Sequence, residues 1–309
     1  MGGIGVITNP RSRRNRRNPA LARQLAYVLG EQGQLAAPHD FDALHRVAEH
    51  FKERQIDILA VNGGDGTTHV ALTAFLKVYG DEPLPRVALL RGGTMNTMAT
   101  GVGIRGRPDQ LLGQLVQAYH SGQPLRTTER NCLLVNDQAG FLFGNGMLAN
   151  FLEVYYQGSE PSPVKGARLL AQAVLSTMVG GAFSRRLRRR VRMRVTVDGH
   201  TWDSQDWLTV AIGTVDNIGL QFRPFPRVVG TPGHLEIIGV QGTLGDLAKV
   251  LPAIRLARPL NHPAFPNSLA KEVILEAEEP MGFMVDGDFH SAGQRLEIRP
   301  GPRITFTWA

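Results

Sequence analysis

The stretch Val61-Asn62-Gly63-Gly64-Asp65-Gly66-Thr67-Thr68 decides how the first third of this 309-residue chain is read. Upstream of it, Ile56, Ile58, Leu59, Ala60 and Val61 form a short apolar run of strand length. Downstream, Val70, Leu72, Phe75 and Leu76 recur at helical spacing. The glycines therefore fall on a strand-to-helix turn. Lacking side chains, they can take positive φ and let backbone N–H groups come close to an anion. The helix that follows adds the partial positive charge of its N-terminus. Asp65 is the odd member, because a carboxylate among phosphate-binding amides repels phosphate unless it holds a metal ion or takes a proton. The competing reading is a plain tight turn, for which Gly-Asp-Gly is ordinary currency. The full five-residue run directly after a strand favours the phosphate cradle.

Working outward, the first ~125 residues alternate apolar strands with helical segments, the pattern of a parallel sheet covered by helices. Gly5 to Thr8 reads as a strand, Pro19 to Glu31 and Asp42 to Arg54 as helices, and Val87 to Leu90 as a further strand. Beyond Arg126 the segments become short, β-rich and punctuated by Gly, Pro, Asp and Asn, which predicts a mostly antiparallel β domain. The expected fold class is α/β plus all-β: a Rossmann-like parallel-sheet domain over 1–126 and an antiparallel β-sandwich over 127–298. A hydrophobic content of 42% in a chain of this length supports two cores. The single cysteine, Cys132, excludes an intrachain disulfide and reads as a small buried hydrophobe. The first residues carry neither the basic nor the apolar region of a signal peptide, so a cytoplasmic protein is expected.

Several positions together resemble one family. Gly63-Gly64-Asp65-Gly66-Thr67 is similar to the signature of the diacylglycerol kinase catalytic domain superfamily, which includes bacterial lipid kinases and the sphingosine and ceramide kinases. NAD kinases share those five residues. Asn9-Pro10, Gly93-Thr94-Met95-Asn96, Arg223-Pro224-Phe225-Pro226 and Val285-Asp286-Gly287-Asp288 resemble further landmarks of the lipid kinases, spread along the whole chain. The resemblance implies ATP and Mg²⁺ as cofactors. It implies nucleotide contacts from Asn9, Pro10, Ser12, Gly63, Gly64, Asp65, Gly66, Thr67, Thr94 and Asn96, with Asp65 meeting the magnesium of Mg·ATP. It makes Asp288 the general base that takes the acceptor hydroxyl's proton, and Asp65 its partner in catalysis. It also implies that the last strands, about 299–309, return to the first domain. Departures accompany it. Arg13 replaces a usual glycine, Thr97 stands where the second loop normally ends in an acid, and Leu148 stands where an aspartate is usual. Pro232 stands where many bacterial relatives place a ligand to a structural magnesium, so no metal is expected between Val229 and His234.

Charge is unevenly spread. The net charge is +7, and two arginine clusters contribute much of it. Arg11, Arg13, Arg14, Arg16 and Arg17 follow Asn9-Pro10, where they either neutralise phosphates or coat a solvated loop. Arg185, Arg186, Arg188, Arg189, Arg190, Arg192 and Arg194 follow the apolar stretch Leu169–Phe183, which is too short to span a bilayer. An apolar segment beside a basic patch suits docking on an anionic membrane, through Arg185, Arg186, Arg188, Arg189 and Arg190. The alternative is a core helix followed by a strand with one charged face. Nucleic acid is disfavoured as a partner, since no recognition motif accompanies the arginines. The expected activity is an ATP-dependent lipid kinase, peripherally bound at a membrane and acting on a diacylglycerol-like or sphingoid/ceramide-like hydroxyl. An NAD kinase-like enzyme and a catalytically weakened lipid- or nucleotide-binding protein are the alternatives, and a homodimer is left open.

Overall fold

The computed structural model describes residues 2–30, 33–156, 164–166, 168–169, 171–172, 182–219, 221–291 and 293–309. They form two compact units, one of Met1–Arg130 with Arg303–Ala309 and one of Asn131–Pro302. The chain crosses between them within β5 (Arg126–Val135) and β17 (Arg295–Trp308).

In the first unit, β1 (Ile4–Thr8), β3 (Ile58–Asn62) and β4 (Arg86–Leu89) are parallel neighbours. The short β2 (Gln34–Ala36) lies at one edge, and the end of β17 pairs with β4 through Phe306↔Val87. All five residues of β1 and of β3 are buried, as expected of parallel strands covered on both faces. Helices α2 (Leu21–Leu29) and α6 (Pro108–Ser121) seat Leu21, Leu25, Leu29, Leu112 and Leu115 on one face, against Val6, Ile58 and Ala60. Phe51 of α3 (Phe41–Glu53) and Phe75 of α4 (Asp65–Tyr79) are fully buried and meet edge to face. Gly5 leaves room for the Phe51 ring, which a Cβ there would strike. The loops after β1, β3 and β4 thus leave the carboxyl ends of adjacent strands, the position where open α/β sheets bind ligands.

The second unit is a sandwich of antiparallel strands. One sheet has the order β13 (Asn267–Ala270), β12 (Leu235–Val240), β11 (Thr209–Gly213), β7 (Leu142–Asn145), β15 (Gly282–Val285), β16 (Asp288–Ser291). The other includes β8 (Val191–Val197), β14 (Val273–Ala277) and the first part of β17. Phe143, Val210, Ile212 and Ile237 from the first sheet and Val195, Val273, Leu275 and Ile298 from the second share one buried cluster. Helices occur here that the β-rich reading passed over: α7 (Met147–Tyr156), α8 (Ala182–Leu187) and α9 (Leu244–Arg255). In α9 the Thr243 hydroxyl accepts from the Asp246 amide, and the Asp246 carboxylate accepts from the Thr243 amide.

Cys132 is fully buried, and burial pushes its thiol up to about 12. The arginine alternation is real on β8, where Arg192 and Arg194 are exposed between the buried Met193 and Val195, but Arg190 precedes the strand. Most of the apolar stretch Leu169–Phe183 lies outside the described residues. Among the described residues, no helix is long and apolar enough to cross a membrane.

Candidate functional site

Three loops of the first unit are locked together by buried polar side chains. Asn9 Nδ2 donates to Thr67 Oγ1 at 2.9 Å, joining the end of the first strand's loop to the start of α4. The Asn9 amide donates to the Asn62 carbonyl at 3.0 Å. The chain after Pro10 is not a free loop: it forms the short helix α1 (Arg13–Arg17), pinned by the buried Asn15. Asn15 Nδ2 donates to the Asn9 carbonyl at 2.6 Å and lies 3.3 Å from both Thr8 Oγ1 and the Asn62 carbonyl. Asn62 Nδ2 in turn donates to Thr8 Oγ1 at 2.9 Å and to Asn15 Oδ1 at 3.0 Å. An isolated five-residue helix rich in like charge has little stability of its own, so this network holds the arginine segment in place. Neither Asn15 nor Asn62 stood among the sequence-derived site residues. The signal that was there to be read was an asparagine in the middle of an arginine run.

The glycines act by close approach, not by positive φ. Gly64 has φ −97° and ψ −170°, an extended conformation open to any residue, and it is the N-cap of α4. What requires glycine is contact between the two loops. A Cβ at Gly93 would run into Gly64 Cα, and one at Gly92 would come 2.5 Å from Asn62 Oδ1, which is buried without a donor. Asn96 does adopt a left-handed conformation, with φ +48°. Its side chain is spent on its own loop, accepting from the Gly93 amide at 3.0 Å and donating to the Gly93 carbonyl at 3.1 Å. Thr94 is half-buried on this loop, and Ser12 precedes α1 with its hydroxyl oxygen buried and without a hydrogen-bond partner.

Asp65 is the first residue of α4 and caps a second helix. Its carboxylate accepts from the amides of Thr97 at 2.9 Å and Met98 at 3.0 Å, at the start of α5 (Thr97–Gly101). Burial pushes this carboxyl above the usual aspartate range, and the amide bonds oppose that shift. Arg91, between β4 and the second loop, has φ +58° and donates from Nη1 to the Ile104 carbonyl at 2.5 Å and to Thr100 Oγ1 at 3.2 Å. Burial first, and then the Arg14 guanidinium, hold Arg91 below the usual arginine range.

Asp288 belongs to the second unit. It opens β16 and pairs with Val285 across a two-residue turn of Asp286 (φ +50°) and Gly287 (φ +92°), the geometry of a tight primed hairpin. The turn returns immediately into Asp288–Ser291. Asp286 anchors it, accepting from the amides of Phe141 at 3.1 Å and Leu142 at 2.9 Å. Beside the turn stand Tyr156 and Phe289, exposed and in edge-to-face contact. Of the other landmarks, Phe225 is buried against Gly213, and Arg223 pairs with Asp216 at 3.0 Å. The loop at Pro232 is held by the Gly233 amide donating to Asn131 Oδ1 at 2.9 Å.

The second arginine cluster is divided among three elements. Arg186 of α8 pairs with Glu153, Arg190 with Asp206 at 3.4 Å, and Arg194 with Glu276 at 3.6 Å.

Comparison with known proteins agrees with this geometry. Residues 3–123 match the family described as the diacylglycerol kinase catalytic domain. The match falls within the first unit and takes in all three glycine- and asparagine-bearing loops. A search of curated proteins finds no match. Among solved structures, a diacylglycerol kinase from Bacillus anthracis strain Sterne is 15% identical, with a TM-score of 0.65, covering 99% of this chain and 97% of its own. Another structure from that strain, given the same class name provisionally, is 16% identical with a TM-score of 0.73 over 99% of this chain and 97% of its own. At such identities the likeness is one of fold, and it extends over both units.

Proposed function

We propose that the protein is an ATP-dependent lipid kinase that phosphorylates a hydroxyl of a diacylglycerol-like or sphingoid/ceramide-like lipid at a membrane face. The observation that carries the nucleotide half of this reading is the convergence of the Asn9, Gly63–Thr67 and Gly92–Asn96 loops at the carboxyl ends of three adjacent parallel strands. In this reading the amides of Gly63, Gly64 and Gly66 face the phosphates, and Thr67 and Thr94 supply hydroxyls. The N-terminus of α4 lends its partial positive charge. Asn96 and Asp65 act by holding the second loop and α5 in place around the nucleotide. Asp288 accepts the proton of the acceptor hydroxyl while its oxygen bonds to the γ-phosphorus and ADP leaves.

The magnesium implied by the resemblance finds a poor donor set. Asp65 is the one carboxylate on these loops, both of its oxygens accept amides, and its neighbour Thr97 brings a hydroxyl where a second acid is usual. Among the described residues no group of three acidic, histidine or cysteine side chains is placed to share a cation. These residues do not fit a resident metal, and no step is assigned to one.

For the membrane, of Arg185, Arg186, Arg188, Arg189 and Arg190, the exposed Arg185 and Arg189 have no carboxylate partner among the described residues. They are the expected contacts with anionic headgroups, with Arg186, Arg188 and Arg190 around them.

The test incubates purified protein with labelled ATP against separate panels of diacylglycerols, sphingoid bases, ceramides and NAD. Phosphorylated lipid is the expected product, and phosphorylation of NAD alone would make the protein an NAD kinase-like enzyme. Asp288→Asn should leave ATP affinity unchanged and lower kcat by about 10²–10⁴-fold, the usual contribution of a general base. Near-normal turnover in that variant would remove Asp288 from the reaction.

A further inference from the structure

We propose that Arg14, Arg91 and Arg105 take the place of a protein-held divalent cation, so that the nucleotide's phosphates bind this protein without a metal. The inference rests on the nucleotide reading above. Three observations bring the arginines to one place. The Arg14 amide donates to the Gly92 carbonyl at 3.2 Å, which lays α1 on the second glycine loop. Arg91 directly precedes that glycine pair. Its bond to the Ile104 carbonyl sets Arg105, the next residue, beside its guanidinium.

No ion pair holds their guanidinium groups among the described residues. Among the described residues none of the three has a carboxylate partner, whereas Arg107, Arg186, Arg190, Arg194, Arg223, Arg227, Arg295 and Arg303 all do. The acceptors of Arg91 are a carbonyl and a hydroxyl, both neutral, and its Nε is buried without an acceptor. Asp65 attracts Arg91 through space, but its oxygens bond the amides of α5 and neither is paired with a guanidinium. Three neighbouring cations, none of them in an ion pair, repel one another and gain when an anion arrives. A guanidinium fork matches phosphate oxygens two at a time, and arginine clamps serve the same charge on a transferring phosphoryl group as a bound cation does. The buried Asn15 network and the Ile104 bond fix the backbone on either side, so part of the ordering cost is met before the ligand binds.

The experiment is calorimetric titration of ATP into the full-length protein, once with magnesium and once with EDTA. Wild-type affinity should agree between the two within about threefold, a difference of less than about 0.7 kcal/mol. The double variant Arg14→Gln/Arg105→Gln spares Arg91, which braces α5, and should lose about tenfold or more in EDTA, with part of the loss restored by magnesium. Thr97→Asp places a second carboxylate next to Asp65 and should make binding weak in EDTA and metal-dependent. Wild-type binding that requires magnesium, together with a double variant that behaves like wild type, would overturn the proposal and leave the nucleotide reading standing. Failure of folded wild type to bind ATP in either buffer would overturn both.

Discussion

The two arginine-rich segments have similar composition and different fates. In 11–17 the residue that packs inward is polar: Asn15 spends its side chain on the ends of β1 and β3, and the arginines around it are presented beside the glycine loops. In 185–194 the inward residues are apolar. Leu187, 1% exposed, and Met193, 2% exposed, bury into the second unit, and the arginines between them go to a helix end, a turn and a strand face. Charge density alone therefore says little about what a basic segment serves. The buried side chains inside the segment decide which surface it is delivered to, because only they gain enough from burial or hydrogen bonding to fix the backbone.

This contrast can be broken experimentally. The largest effect is expected for Met193→Ala, which empties a core position and should cost about 2–5 kcal/mol of stability by denaturant unfolding while ATP affinity stays unchanged. A parallel loss of ATP affinity in the folded protein would mean that the second segment also serves the nucleotide. Asn15→Ala leaves the Asn9 and Asn62 carbonyls and Asn62 Nδ2 short of partners. It should cost about 1–3 kcal/mol and, unlike Met193→Ala, weaken ATP binding. If stability falls and ATP affinity does not, α1 is a solvated face and the contrast is lost. Arg189→Gln should weaken binding to anionic vesicles at low salt by up to about 1 kcal/mol and do nothing at high salt, where screening removes the difference. Equal co-sedimentation of wild type and variant at low salt would rule this arginine out of docking. The smallest effect belongs to Arg194→Gln, whose exposed pair with Glu276 should be worth about 0.2–1 kcal/mol, with neither ATP nor vesicle binding altered.

Parts of this architecture are legible in the sequence for local reasons. The fully apolar strand ahead of Gly63 and the helical spacing after Thr68 identify a strand–turn–helix unit, because buried parallel strands carry no alternation to obscure them. The alternation of Arg192, Met193, Arg194 and Val195 identifies a half-exposed strand in the same way. Helix α7 was harder to see: Met147–Tyr156 is apolar on most sides and sits among β segments, so no clear period marks it. The three-residue β2 is too short for any pattern. Asp286 gave no sign of its role, since its two amide donors lie some 145 residues earlier in the chain.

The sequence by itself determined the two fold classes, the position of the glycine turn and the uneven distribution of charge, all of which follow from neighbours along the chain. Tertiary structure alone decided how those pieces work. The glycines of one loop exist for the backbone of the other, a contact between residues about thirty apart that no local pattern encodes. Asp65, which the sequence presents as a metal or catalytic acid, has both oxygens engaged by helix α5. Asn15 becomes the anchor of the arginine segment only because Thr8, Asn9 and Asn62 arrive around it when β1 and β3 pair. Hydrogen-bonding capacity is written in each residue, but which partner claims it is settled by which strands lie side by side.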